Sequence, residues 1–376
     1  MMKAWKEPSA IKESEMLHSL EHARTEIDRI DAEMTALFEA RMKAVGEVVA
    51  YKKEHGMSVL DASREEAVIA KNTARLCEPA LAEYYTDFIK SVMASSRKYQ
   101  TRILFGSHVG YQGTEGAFSH IAASRLFAGA KQTAFASFDD VLSAVEAGQI
   151  DVGVLPFENS TTGEVGEVLD LLYRHENCYI SGWYDLEVRQ NLLGVPGAVM
   201  SDLKQVYSHP QALHQSSDFL RERGWELIPY ANTAKAAEYV SCTGDKTKAA
   251  VASQETAALY GLSVLAADIN SSAVNTTRFI LITRTKTNIG SRFGLLFTVD
   301  HDAGSLVKAL AIIGAHSFNM ECLRSRAMKE LPWQYYFYAE LDGGLASENA
   351  TAMLKELQTV CKTLRTLGCY SKIEQA

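Results

Sequence analysis

Cysteine is scarce and unpaired in this chain: 376 residues carry six, Cys77, Cys178, Cys242, Cys322, Cys361 and Cys369, with no CxxC pair among them. That gives no support to a zinc site or a disulfide framework, and the thiols are expected to be reduced and structural. HExxH, clustered His and Cys, and a P-loop are all missing, which disfavours a metalloenzyme or a nucleotide enzyme. No run approaches the ~18 apolar residues of a membrane span. The opening MMKAWKEPSAIKESE sets charges where a signal peptide needs an apolar stretch, so the expected compartment is the cytoplasm. An excess of positive charge is lacking too: 38 basic against 46 acidic residues leave a net −8, opposite in sign to a chain that coats nucleic acid. An anionic ligand must therefore be held by local clusters of cations.

At roughly 100–200 residues per domain, the length predicts two to four domains. From about Ser14 to His55 there is no proline and one glycine, Gly46, while Leu20, Ala23, Ile27, Ile30, Met34 and Leu37 recur at spacings of three and four. This is the a/d seam of a long amphipathic helix, ending at Gly56. Ser63 and Glu66 read as a capping box for a second helix running to about Cys77, and Pro79 opens a third. Beyond Arg102, short apolar runs beginning with ILF alternate with helical segments in two similar tandem units that end on FILITR, a pattern of α/β structure with a cleft between two lobes. From about Ser291 the order is βαββαβ, with a last helix from Glu348 to Leu367, which suggests a small α+β, ferredoxin-like domain. The expected domains are 1–101, all-α; 102–286, α/β; and 287–376.

Polar residues stand where the helical pattern expects apolar ones. Arg41 occupies the seam seven residues after Met34, and Lys52 follows eleven residues on, about 1100° around the helix, so the two share a face. Asp61, Arg64 and Glu65 cluster at the next helix start, and Ser96 and Gln100 lie at i, i+4 along the third helix's apolar stripe. Arg24 is 17 residues before Arg41, about 25 Å along a straight helix, and serves the same pocket only from a second chain. Several cations without a nucleophile or a histidine base fit electrostatic catalysis, in which carboxylates are clamped and developing charge is stabilised. The run Arg24, Arg41, Lys52, Asp61, Arg64, Glu65, Ser96, Gln100 resembles the all-helical chorismate mutase family, a domain-swapped dimer, at all eight positions. The resemblance implies that Arg41 and Arg64, with Arg24 of the partner chain, bind the two carboxylates of chorismate. It implies also that Lys52 and Gln100 donate to the ether oxygen and that Glu65 orients the ring hydroxyl.

In the α/β part the informative pieces are polar loops: Tyr111 to Gly116 before a helix containing Ser119, Glu158 to Gly163, Ser208 to Gln211, and Asn275 to Phe279. The first is a glycine-rich helix entry with backbone donors for an anion, and the last could bring a hydroxyl and a guanidinium to a carboxylate. The segments GTEGAFS, VLPFENS, YSHPQAL and NTTRF resemble prephenate dehydratase across 103–285, a two-lobed, periplasmic-binding-protein-like fold that needs no cofactor and no metal. The resemblance implies Thr277 as proton donor to the departing ring hydroxyl, Arg278 on a substrate carboxylate, and Asn159, Ser160 and Ser208 completing the pocket. Bottom-up chemistry alone would not nominate a threonine over Glu158 as an acid.

The last segment resembles an ACT domain, a regulatory module that binds phenylalanine in this setting. Its Gly-Ala-Leu turn reads Gly304-Ser305-Leu306 and Asn319 is in place, which implies Ser305, Leu306 and Asn319 as effector contacts. Its Glu-Ser-Arg-Pro motif reads Arg324-Ser325-Arg326-Ala327, so an acidic residue has become basic. Together the resemblances imply an enzyme of phenylalanine biosynthesis that rearranges chorismate to prephenate and converts prephenate to phenylpyruvate, as a homodimer or higher oligomer under feedback control. Two rivals are a non-catalytic amino-acid sensor, which leaves Lys52 and Gln100 unexplained, and a dehydratase with a helical dimerisation arm, which predicts gaps among the eight positions.

Overall fold

The computed structural model describes residues 10–374 except 56, 58, 60, 273, 289 and 330, with the side chains of all of these but 10–19 and 53. Gly56, expected to end the first helix, lies outside the described residues. The chain divides into two compact units, Met1–Tyr51 and Lys52–Ala376. The first is most of one helix, α1 (Ala10–His55), unbroken as its lack of proline predicts. Its seam faces outward in the single chain: Leu20, Ile27, Ile30, Met34 and Leu37 are 42% to 69% exposed.

The second unit opens with α2 (Ala62–Thr73) and α3 (Ala82–Phe105). The cap of α2 is Asp61, not the expected Ser63: its carboxylate accepts from the Arg64 backbone N–H at 3.0 Å and from the Ser63 hydroxyl at 2.9 Å, which leaves Ser63 inside the first turn. The helix also ends at Thr73, four residues short of Cys77. Ile103 to Phe105, expected as a strand, continue α3 until Gly106, whose φ of 88° stops it. A Cβ at Gly106 would also lie 2.5 Å from Asp151. Residue 101, the expected end of the first domain, lies within α3.

The α/β part begins with β1 (His108–Gln112), α4 (Phe118–Leu126), β2 (Lys131–Phe135), α5 (Phe138–Glu146), β3 (Val152–Asn159), β4 (Gly163–Glu164), α6 (Gly166–Arg174) and β5 (Tyr179–Glu187). Ser137 and Asp140 form a full capping box on α5, and the apolar run of β3 is buried on both faces. A second lobe follows with β6 (Asn191–Gly194), β7 (Gln205–Ser208), α7 (Pro210–Gln215), α8 (Ser217–Arg221), β8 (Glu226–Pro229), α9 (Thr233–Thr243), β9 (Lys248–Ala252), α10 (Gln254–Tyr260) and β10 (Ser263–Ala266). The single helix expected from Gln211 is thus split at Ser216.

The strand read as the end of the second unit, β11 (Thr276–Thr283), belongs to the first sheet. The order there is β2-β1-β3-β11-β5, and β11 runs antiparallel to both β3 and β5. The second sheet is β10-β6-β9-β7-β8. The first lobe is therefore discontinuous in sequence, and this return brings residues 276–278 beside Asn159.

The C-terminal part is β12 (Arg292–Val299), α11 (Ser305–Ala315), β13 (Met320–Ala327), β14 (Tyr335–Asp342), α12 (Glu348–Leu357) and β15 (Cys361–Tyr370), the βαββαβ order expected, with sheet order β13-β14-β12-β15. The last helix ends ten residues before Leu367, because Cys361 onward pairs with β12 from Val299 to Arg292. Phe293, Leu295 and Phe297 of this sheet pack with Ile313, Met353 and Leu357 of its helices. Leu296, Tyr336, Tyr338 and Tyr370 join a core with Leu169, Leu172 and Ile180 of the first lobe. At about 1.5–3 kcal/mol for each large apolar side chain buried, this second face ties the C-terminal part to the α/β part.

Thiol reactivity tests the burial pattern. Cys77 and Cys242 are exposed, whereas burial pushes the Cys178 thiol up to about 12 and those of Cys322, Cys361 and Cys369 to about 11. Since the thiolate is the nucleophile, titration of the native protein with a disulfide reagent at pH 8 should give two fast thiols, and the other four only on unfolding.

Candidate functional site

Two groups of polar side chains emerge. The first lies at the start of the second unit. The Lys52 ammonium is half-buried; burial lowers its pKa, against the opposing pull of Asp61 and Glu65, and Nζ donates to Val59 O at 2.5 Å. Asp61 caps α2, and the Arg64 N–H and Ser63 hydroxyl it accepts hold it below its ordinary range. Arg64 is exposed. Ser96 and Gln100 are buried on α3 as their place in the stripe predicts, and the Gln100 Oε1 has no partner among the described residues. Arg97 was not foreseen: its Nη1 lies 2.6 Å from both Glu65 carboxylate oxygens, and it is 17% exposed. Its only signal in the sequence is adjacency to Ser96. Arg24 and Arg41 belong to the first unit, 17 residues apart on α1.

The second group is built where β3 and β11 pair, with Thr277 opposite Asn159. Asn159 is buried, and its Oδ1 accepts from the backbone N–H of Thr161 at 3.0 Å and of Thr162 at 3.1 Å. That Asx turn fixes the amide, so its Nδ2 points at Asn275 Oδ1 at 2.8 Å and Thr277 Oγ1 at 3.0 Å. The Thr277 hydroxyl accepts here and donates to no described residue. Ser160 Oγ accepts from the Thr276 N–H at 3.0 Å and locks the turn to β11. From the second lobe, Gln215 Nε2 reaches Thr161 Oγ1 at 3.0 Å and Gln211 Nε2 reaches Thr162 Oγ1 at 3.1 Å. Both lobes thus meet at this turn. Gln211, Thr161, Thr162 and Asn275 lay within motifs already singled out; Gln215 carried no signal.

Ser208 and Arg278 stand apart from that group. Ser208 is fully buried and donates to Val251 O at 2.6 Å inside the second sheet. Arg278 neighbours Thr277 on a strand, where successive side chains face opposite ways. Its Nε bonds Asp185 Oδ1 at 3.0 Å and its guanidinium lies 5.7 Å from the centre of the Trp183 ring. In this structure the Arg278 guanidinium is engaged by the Asp185 carboxylate. In the C-terminal part, Leu306 lines a cavity of about 330 Å³ near Val299, while Asn319 donates to Asp342 at 2.9 Å. Asp342 is the cross-strand partner of Arg292 at the start of β12, whereas the cavity that Leu306 lines is beside Val299 at its other end.

Among the described residues, one group has metal-ligand chemistry: Glu146, His175 and Cys178. The His175 ring nitrogens already face Glu146 at 2.9 Å and Asp139 at 3.2 Å, and the raised Cys178 thiol opposes the thiolate a metal needs. No helix of the described residues is long and apolar enough to cross a membrane.

Comparison with known proteins covers both groups. Chorismate mutase type II matches residues 23–101 and prephenate dehydratase matches residues 109–287. The bifunctional chorismate mutase/prephenate dehydratase of Buchnera aphidicola from Acyrthosiphon pisum is 30% identical over 366 residues, covering 92% of this chain and 95% of that one. The chain belongs to the bifunctional chorismate mutase/prephenate dehydratase family. It rearranges chorismate to prephenate and then decarboxylates and dehydrates prephenate to phenylpyruvate, in phenylalanine biosynthesis. Among solved structures, the prephenate dehydratase of Arthrobacter aurescens in complex with L-Phe matches with a TM-score of 0.66 and 24% identity, covering 72% of this chain and 91% of that one. A quorum-quenching acylase, GqqA, shares the fold with a TM-score of 0.65 and 30% identity, over 70% of this chain and 98% of its own. The mutase match spans all eight positions from Arg24 to Gln100, and the dehydratase match contains Asn159, Ser160, Ser208, Thr277 and Arg278.

Proposed function

We propose that the first group is the mutase site and that the turn after β3, where Asn159 pairs with Thr277 of β11, is the dehydratase site. In the mutase, Lys52 and Gln100 donate to the ether oxygen of chorismate as it gains negative charge. The lysine's partial burial supports this, since an ammonium outside bulk water acts more strongly on developing charge, and two of its three protons remain after Val59. Glu65 takes the ring hydroxyl, Asp61 and Ser96 line the pocket, and Arg41 and Arg64 take the carboxylates with Arg24 of a second copy. The exposed seam of α1 supports such a dimer, because an apolar row of that length is covered in a stable helix pair.

The observation that carries the dehydratase reading is the 3.0 Å bond from Asn159 Nδ2 to Thr277 Oγ1. A hydroxyl that already accepts from a fixed amide is polarised and keeps its own proton for another acceptor. That acceptor is the hydroxyl leaving prephenate as carbon dioxide departs and the ring aromatises. Ser160, Gln211 and Gln215 hold the turn, and Ser208 supports the second lobe from within. The βαββαβ part is read as an ACT domain that binds phenylalanine, with Ser305, Leu306 and Asn319 as its effector contacts. Free thiols at all six cysteines fit the cytoplasm.

The experiment feeds purified protein chorismate and follows prephenate and phenylpyruvate with and without phenylalanine; failure to form either product refutes the corresponding site. Arg97 gives a sharper test. Because it holds Glu65 against the pull of solvent, Arg97→Ala should lower kcat/KM for chorismate by about tenfold or more and leave dehydration of supplied prephenate unchanged. Equal activity of variant and parent on chorismate would remove Arg97 from the site.

A further inference from the structure

The motif Arg324-Ser325-Arg326-Ala327 has its explanation in the dehydratase and not in the C-terminal part. Asn159 and Thr277 form one cross-strand pair, and Glu158 and Arg278 form the next. Adjacent strand residues face opposite ways, so the second pair turns from the Asn159–Thr277 bond toward the C-terminal sheet. There the Arg324 Nη2 meets Glu158 Oε2 at 2.8 Å and its Nε lies 3.5 Å from Glu164 Oε2. Its guanidinium sits 4.9 Å over the Phe157 ring and 5.9 Å over the Tyr338 ring, and only 12% of the side chain is exposed. Arg326 makes the neighbouring clamp, with Nε and Nη2 each 2.9 Å from an Asp170 oxygen and Nη1 3.0 Å from Glu164. Arg324 thus grips β3 at residues 157 and 158, immediately before the amide that orients Thr277. The arginine that stands at the motif's acidic position braces β3.

We propose that Arg324 is a positioning residue of the dehydratase, fixing Glu158 and through it the end of β3 that presents Asn159 to Thr277. The inference rests on the reading of the Asn159–Thr277 turn as the dehydratase site. A carboxylate at 324 would face Glu158 and Glu164 with like charge, whereas a lysine would keep the attraction to Glu158 without the planar fork.

The test uses the full chain with Arg324→Ala, Arg324→Lys and Arg324→Glu, and Thr277→Ala as reference, measuring prephenate dehydration, chorismate consumption and melting. Arg324→Ala should lower kcat for prephenate about ten- to a hundredfold with KM within about twofold, as expected of a sub-ångström loss of alignment. Lysine should recover most of the loss, glutamate should do no better than alanine, and chorismate turnover should be unchanged. A folded Arg324→Ala chain with undiminished kcat overturns the proposal, and so does a lower melting temperature with unchanged kcat. Lysine restoring nothing overturns it too, because the loss would then follow packing and not the pair with Glu158. In each of these cases an inactive Thr277→Ala chain leaves the site reading standing. An active Thr277→Ala chain defeats that reading itself.

Discussion

Replacing Lys52 with alanine should lower kcat for chorismate by about 10²–10³ and leave dehydration of supplied prephenate largely unchanged. The size follows from removing one preorganised donor from an oxygen that becomes negative only in the transition state. The selectivity follows from place: Lys52 lies at the end of α1 and the Asn159–Thr277 bond lies between β3 and β11. Equal loss of both activities would sink the two-site reading. The pH dependence is a second signature. Burial lowers the Lys52 pKa, and the ammonium is the active form, so chorismate turnover should fall as pH rises through a value below that of an ordinary lysine. Dehydration should not share that alkaline limb.

Thr277→Ala should make prephenate accumulate when the protein is given chorismate, with phenylpyruvate formation down by about 10²–10⁴, the range of a lost proton donor. The loss should lie in kcat, because the proton moves only as the ring hydroxyl leaves. Thr277→Ser keeps a hydroxyl within reach of Asn159 Nδ2 and should retain activity within about tenfold of the parent. Undiminished phenylpyruvate formation by the alanine variant would dismiss Thr277 as the donor. Chorismate consumption is the internal control, since the residues proposed for the mutase lie on α1, α3 and α2 with its cap.

The helical residues were legible because a 3.6-residue period makes intrusions visible. Arg41 in an apolar seam and Gln100 in an apolar stripe declare themselves without a structure. Arg97 did not, for a charge beside such a stripe reads as a solvated face until Glu65 of another helix is found on it. Ile103 to Phe105 misled in the opposite way. Three apolar residues suit a strand or a buried helical turn equally, and Gly106 decides for the helix. In the last domain the stretch after Leu357 was read as helix, but ladder pairing with β12 overrides that propensity.

By itself the sequence determined the two chemistries and the helical, α/β and βαββαβ parts, because periodicity and motif spacing are local properties. Only the tertiary structure decided that β11 leaves its sequence neighbours and returns to the first sheet, which sets Thr277 opposite Asn159 across more than a hundred residues of chain. The same pairing turns Arg278 away from Thr277 and toward Asp185, and lets Arg324 of the C-terminal sheet reach Glu158. Which face of a strand a side chain takes depends on the partner strand and its register. That is settled by long-range hydrogen bonding and by what each face buries, and no spacing within one strand encodes it.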